Sequence, residues 1–147
     1  NAFLEDCVKA GIDAEISSAI ERTIWEKFVF IVGMSAVTSS MRAPIGIVRS
    51  LPQARAFLLD VMREVIAVGR AKGVDLPADF AENRLAFCDG LPADMDSSLH
   101  HDLRQGNRLE VPWLSGGVVE LGESVGVPTP LNRAVAAILA PYAAGTK

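Results

Sequence analysis

A lysine stands directly before the most apolar stretch of the chain. Lys27 precedes Phe28–Val37, ten residues that carry no charge. Next to a buried helix, a lysine must extend to solvent, meet a carboxylate or line a pocket. In a pocket, partial desolvation makes the ammonium a stronger electrostatic group and a tunable acid. Ile31 and Ser35 follow one and two turns later on the same helix face. Extension to solvent is the more common outcome, and an ammonium at a cleft is the functional alternative.

Ser98 and the neighbouring histidines are the other candidates for chemistry. Ser98 lacks the Gly-x-Ser-x-Gly context of a hydrolase nucleophile, and a serine after an acidic loop more often caps a helix. His100 and His101 are adjacent, so on a helix they project about 100° apart and cannot chelate one metal ion together. We expect both to be ordinary surface or interface histidines, and we expect no metal site.

Composition and motifs exclude several classes of function. The sequence contains no strand–Gly-x-Gly-x-x-Gly–helix unit and no P-loop, so neither common nucleotide cradle is present. A net charge of −4 without a basic stripe argues against nucleic-acid binding. The apolar run after Lys27 is well short of the about 20 residues that a membrane helix needs. We therefore expect neither a nucleic-acid nor a membrane partner.

The size and composition predict one domain with an exposed apolar surface that a partner covers. Half of the 147 residues are hydrophobic, which favours contact with a partner domain or a second subunit. Cys7 and Cys88 are far apart and are expected to be buried free thiols in a reducing compartment, the cytoplasm. Because the chain does not begin with methionine, we expect it to be part of a longer protein.

Nearly every segment has helical periodicity, and no pair of alternating runs joined by a hairpin turn stands out. The fold class is therefore predicted to be all-α. Pro52 is expected at the first turn of a helix that ends before Gly73, and Thr129 is expected to cap a helix that begins at Pro130. The other predicted helices span residues 2–10, 16–40, 78–88, 98–105 and 110–126, with a turn-like or helical connector at 43–50.

Three stretches together resemble the C-terminal domain of the ketopantoate reductase (2-dehydropantoate 2-reductase) family. They are IWEKF at 24–28, REVIAVGRAKGVDLP at 63–77 and SSLHHDLRQGNRLEVPWLSGGVVELGESVGVPTP at 97–130. Any single match is weak, but their order and spacing, which extend from Ile24 to Asn132, are fairly specific.

This resemblance implies a fold, a reaction and roles for individual residues. It implies that residues 1–147 form an all-helical substrate-binding and dimerisation domain of the 6-phosphogluconate dehydrogenase C-terminal-like type. An absent N-terminal Rossmann domain would hold NADP(H), and the cleft between the domains would reduce a 2-oxo acid, as in ketopantoate reduction to pantoate for pantothenate biosynthesis. Lys27 matches the family's proton-donating lysine, Glu110 the glutamate that arranges the site, and Ser98 the serine that binds substrate. From its place on the helix, Ser35 is expected either to donate to the Ile31 carbonyl or to line the same pocket. A homodimer is the expected assembly.

Four positions depart from the family pattern, which usually has asparagine at each. They are Ile31, Ser35, Ile45 and Met95. Because a lost amide leaves a hydroxyl of the substrate unpaired, the pocket is predicted to prefer a less hydroxylated, more apolar acid than ketopantoate.

Two interpretations of function are left open. The first is the substrate-binding half of an NADPH-dependent 2-oxo-acid reductase, inactive without its Rossmann domain. The second is a non-catalytic helical module for dimerisation or interaction, with a degraded active site. The first requires Lys27 and Glu110 to lie within a salt bridge of each other and on the same side of the domain, whereas the second is favoured by dimerisation through the apolar face without a cleft near Ser98.

Overall fold

The longest helix runs through the centre of the hydrophobic core. The computed structural model describes residues 2–146, which form eight α-helices and one final 3-10 turn and contain no strand. The all-α prediction is therefore confirmed. The helices are α1 (Ala2–Lys9), α2 (Ile20–Met41), α3 (Ile45–Ser50), α4 (Pro52–Ala71), α5 (Phe80–Asp89), α6 (Ser98–Gln105), α7 (Ser115–Val125) and α8 (Pro130–Leu139), followed by the turn Ala140–Tyr142.

Helix α2 packs mainly against α4, and this contact forms the centre of the core. The second half of α2 is buried on all sides, as its apolar sequence predicts. Gly33 allows the two helices to approach closely, because an added Cβ there would lie 2.7 Å from Met62 Cγ. From α4, Leu58, Val61 and Val65 complete this packing and are fully buried.

Three helices begin later than the sequence periodicity predicts. Helix α2 starts at Ile20 rather than near residue 16, because the Ser17 hydroxyl accepts the Ala19 N–H and favours a turn. Helix α5 starts at Phe80, two residues later than predicted. Helix α7 starts at Ser115, and residues 110–114 form turns in which the Glu110 carbonyl accepts two backbone N–H groups. Glu110 therefore lies in a turn and not in a helix.

The beginning of α8 is held by a carboxylate from α4. Thr129 occupies the predicted cap position, but its side chain makes no capping hydrogen bond. Instead Glu64 accepts the N–H groups of Leu131 and Asn132 at 2.8 and 2.9 Å, and the Asn132 side-chain amide at 2.8 Å. Helix N-termini carry unpaired N–H groups and a positive dipole end, so a carboxylate is well suited to this position.

The N-terminal segment leaves a row of apolar side chains in solvent. Helix α1 buries none of its residues. The apolar residues of the segment that are more than half exposed are Phe3, Val8, Ile12, Ile16, Ile20 and Ile24. Among residues 2–146, no helix is long and apolar enough to span a bilayer.

The two cysteines are both free thiols, but they differ in burial. Cys88 is fully buried, and burial raises the pKa of its thiol to about 11. Cys7 is partly exposed, so the prediction of a buried thiol is wrong at that position.

Candidate functional site

A small cavity lies between α2 and the loop that leads into α6. Its volume is about 130 Å³. Ile31 and Ser35 line it from α2, together with Phe30 and Met34, and residues 95–98 line it from the loop. The structure thus brings together two of the predicted substrate-binding residues, Ser35 and Ser98, although 63 positions separate them in the sequence.

Three of the four positions that depart from the family pattern are lining residues of this cavity: Ile31, Ser35 and Met95. The fourth, Ile45, is fully buried and is not one of the lining residues. The Ile45 N–H donates to the Met95 carbonyl at 2.9 Å, and the Gly46 N–H donates to the Ala93 carbonyl at 2.9 Å. Two backbone hydrogen bonds therefore fix the loop against the beginning of α3.

Neither candidate serine is engaged elsewhere. Ser35 is only 3% exposed, and within residues 2–146 neither its hydroxyl nor that of Ser98 has a hydrogen-bond partner. The cap of α6 is Ser97, whose hydroxyl accepts the His100 N–H at 3.1 Å, so the capping role that the sequence suggested for Ser98 belongs to its neighbour. Ser98 is the exposed first residue of the helix, and both hydroxyls are available to a ligand.

Lys27 lies one turn before Ile31 on the same face of α2, but it is not one of the lining residues of the cavity. Its side chain is exposed, and Glu110 is exposed in the turn before α7. Among residues 2–146, no ion pair joins Lys27 to Glu110, and Glu26 pairs with Arg22 at 2.8 Å. Within the described residues, the requirement of a salt bridge between Lys27 and Glu110 is therefore not met, which counts against the reductase interpretation.

His100 is a residue of this region that sequence reasoning missed. It is buried, with 3% exposure, and its Nδ1 lies 2.7 Å from Asp96 Oδ1. The prediction of a surface or interface position is therefore wrong for His100, whereas His101 is exposed. The Asp–x–x–x–His spacing, which places the two side chains one turn apart, is the signal that could have revealed the pair.

The cavity is much too small for a dinucleotide, since sites for drug-sized ligands begin at about 300 Å³. The lining residues therefore do not fit NADP(H) as an occupant of this cavity. Within the described part of the chain, no group of three His, Cys, Asp or Glu side chains is arranged to hold a metal ion.

Comparison with known proteins decides the family. Residues 19–143 match the family model described as "Ketopantoate reductase PanE/ApbA C terminal". The chain belongs to the ketopantoate reductase family. As a member of this family it corresponds to the C-terminal domain, in agreement with the resemblance carried by its motifs.

Individual relatives of this ketopantoate reductase domain support the same assignment. The chain is 33% identical over 127 residues to "2-dehydropantoate 2-reductase" of Pyrobaculum aerophilum, and the match covers 86% of this chain and 45% of that protein. A PanE/ApbA family ketopantoate reductase from Ralstonia eutropha superimposes with a TM-score of 0.82 at 31% identity, covering 91% of this chain and 45% of the other. The dimeric ketopantoate reductase of Staphylococcus aureus has the same fold, with a TM-score of 0.84 at 21% identity, over 90% and 46% of the two chains. The chain thus spans less than half the length of the relatives that it matches.

Proposed function

We propose that the chain is the substrate-binding half of an NADPH-dependent reductase of 2-oxo acids. The observation that carries this proposal is the cavity at which Ile31, Ser35, Met95 and Ser98 meet, one turn from Lys27. These are positions at which the family resemblance places substrate recognition. An apolar cavity with a few polar groups at its edge is also the usual form of a small-molecule site.

In this proposal the residues of the chain bind the acid and deliver a proton. The substrate carboxylate accepts a hydrogen bond from Ser98 at the beginning of α6, where free N–H groups and the helix dipole favour an anion. The ammonium of Lys27 stabilises the negative charge that develops on the carbonyl oxygen and then protonates it. NADPH, held by an N-terminal Rossmann domain, supplies the hydride. Glu110 holds the ammonium in place once the two domains enclose the substrate.

The lining of the cavity favours an apolar substrate over ketopantoate. A volume of about 130 Å³ is close to the about 150 Å³ of cavities that hold one benzene ring, so the side chain of the acid has room for roughly six carbon atoms. Ile31 and Met95 offer no hydrogen bond to a hydroxyl there. We therefore propose a branched or aromatic 2-oxo acid without a hydroxyl group as the preferred substrate.

The exposed N-terminal segment supplies a surface for the rest of the enzyme. Ile12, Ile16, Ile20 and Ile24 recur every fourth residue and are more than half exposed. A soluble protein rarely leaves such a row in water, so this segment is proposed to pack on the Rossmann domain. The proposal also includes a homodimer and a cytoplasmic location.

A non-catalytic dimerisation or interaction module is the second candidate. It is favoured by one observation: the ion pair between Lys27 and Glu110 that a preassembled active site would contain is absent from the described residues.

One experiment separates the two candidates. NADPH oxidation by the full-length protein is followed with 2-oxoisovalerate, phenylpyruvate and ketopantoate, for the wild type and for Lys27→Ala. Loss of the proton donor is expected to lower kcat by about 10²–10⁴-fold for the preferred acid. Lys72→Ala, at an exposed lysine after α4, is the control and should retain wild-type turnover. If a folded, NADPH-binding wild type reduces none of these acids, the catalytic proposal fails and the interaction module is supported.

A further inference from the structure

Asp96 stands between two cavities. It lines the candidate substrate cavity and also a neighbouring one of about 410 Å³, whose other walls include Arg42, His100 and Arg104. Because Asp96 is part of the wall shared by the two cavities, a shift of its side chain changes the shape of the candidate substrate cavity.

The carboxylate of Asp96 organises the loop before α6. Its Oδ1 accepts the Ser97 N–H at 2.8 Å and lies 2.7 Å from His100 Nδ1, and its Oδ2 lies 3.4 Å from an Arg104 nitrogen. Of these partners His100 is the buried one, whereas Arg104 is largely exposed. The hydrogen bond from His100 is thus the contact that water is least able to replace.

The same network continues to the opposite wall of the cavity. The Ser97 and Thr38 hydroxyls are 2.7 Å apart, and the Thr38 hydroxyl donates to the Met34 carbonyl at 2.7 Å. Since each hydroxyl has a single proton, Ser97 donates to Thr38 and accepts the His100 N–H. Met34 lines the cavity from α2, so hydrogen bonds join the backbone N–H of His100 to the α2 wall, whereas its imidazole ring bonds to Asp96 in the loop.

From this network we infer that His100, acting through Asp96, is a positioning residue for substrate binding. Its ring fixes the carboxylate, the carboxylate fixes the Ser97 backbone, and the backbone places Ser98 and the side chain of Met95 against α2. His100 does not line the substrate cavity, so its effect falls on binding of the acid and not on proton transfer. This inference rests on the proposed reductase function.

The test compares three variants of the full-length protein. His100→Leu removes the hydrogen bond, whereas His100→Asn keeps an N–H donor near the position of Nδ1. His101→Leu is the matched control, because His101 is the exposed neighbour on the same helix. For the preferred 2-oxo acid, KM is expected to rise about tenfold in His100→Leu with kcat within twofold of the wild type, and to return to within threefold in His100→Asn. An unchanged KM in His100→Leu, or a loss of kcat without a change in KM, overturns the inference.

A second measurement keeps this result distinct from failure of the reductase proposal. In full-length protein labelled with ¹⁵N-serine, the Ser98 amide resonance is expected to move in His100→Leu, to return towards its wild-type position in His100→Asn and to remain in place in His101→Leu. If the wild type is inactive towards all acids, the reductase proposal fails, and these resonances alone decide whether His100 positions the loop. If the Ser98 resonance is unchanged in His100→Leu, the positioning role is refuted even in an active enzyme.

Discussion

Two carboxylates, Glu64 and Asp96, each join separate parts of the molecule, with different consequences. Glu64 accepts three N–H donors from the first turn of α8, up to 68 residues away in sequence, and its partners pack as one helix junction. Asp96 accepts donors from its own loop and from α6, and it borders two cavities. Hydrogen bonds from N–H donors to a carboxylate therefore stabilise helix packing at Glu64, whereas at Asp96 they hold the wall of a cavity. Breaking the first should lower stability, and breaking the second should alter binding.

The largest expected effect is on stability at the Glu64 junction. Glu64→Gln turns one acceptor oxygen into an N–H group that faces other donors, so we expect the free energy of unfolding to fall by about 2–3 kcal/mol. Thermal unfolding of the full-length protein measures this as a lower Tm, and KM of the preferred acid should not change.

Glu123→Gln is the control for the junction. In the part of the chain that the structure describes, the Glu123 carboxylate pairs only with the exposed Arg133, so this change should shift stability by less than about 0.5 kcal/mol. An equal Tm for the two variants, or a higher KM in Glu64→Gln, would remove the contrast between Glu64 and Asp96.

A smaller effect is expected from restoring an amide to the cavity. Ile31→Asn should raise the ratio of kcat/KM for ketopantoate over 2-oxoisovalerate about tenfold, which corresponds to about 1.4 kcal/mol, because the amide can pair with the substrate hydroxyl. Steady-state kinetics with both acids measures the ratio.

Ile47→Asn controls for the introduction of an amide as such, since Ile47 is exposed and does not line the cavity. A selectivity ratio that stays constant in Ile31→Asn would mean that the cavity does not hold the side chain of the substrate.

The smallest effect is expected at Asp89, whose carboxylate forms an exposed ion pair between α5 and α4. The Arg55 guanidinium, 2.6 Å from Asp89, holds the pKa of the Asp89 carboxyl below its usual value. Because the folded-state pKa is the lower one, this pair stabilises the fold above the unfolded pKa, and the contribution is lost as pH falls through the folded pKa. Both side chains are well exposed, so the contribution should be below about 1 kcal/mol.

Thermal unfolding of the wild type and Asp89→Asn at pH 7 and at successively lower pH values tests this contribution. The small difference in Tm at pH 7 should vanish under acidic conditions. A difference that grows as the pH falls would contradict the assigned sign.

Local pattern was sufficient for most of the fold. Periodicity and the punctuation by Pro52, Gly73 and Gly106 located the helices, because these residues act on their own immediate backbone. The carboxylate cap of α8 could not be predicted in this way, since Glu64 is 67 residues from Leu131 and only the packing of α4 against α8 brings them together.

In the candidate site, too, contacts between residues far apart in the sequence could not be predicted from local pattern. The helical stripe of Ile31 and Ser35 and the motif that contains Ser98 pointed to the lining residues. Burial of His100 depends on how α6 packs against α2, which spacing alone does not reveal. The catalytic roles of Lys27 and Glu110 remain predictions from the family resemblance.

Backbone hydrogen bonds fix residues 93 and 95 to the beginning of α3, so the position of this loop does not depend on the side chain at position 95. They anchor the loop through peptide groups, and every side chain at position 95 carries the same peptide group. An exchange at position 95 therefore alters the inner surface of the cavity and leaves these two hydrogen bonds in place. Under the proposed function, an exchange at position 95 is expected to change the preferred acid and to leave the loop anchored.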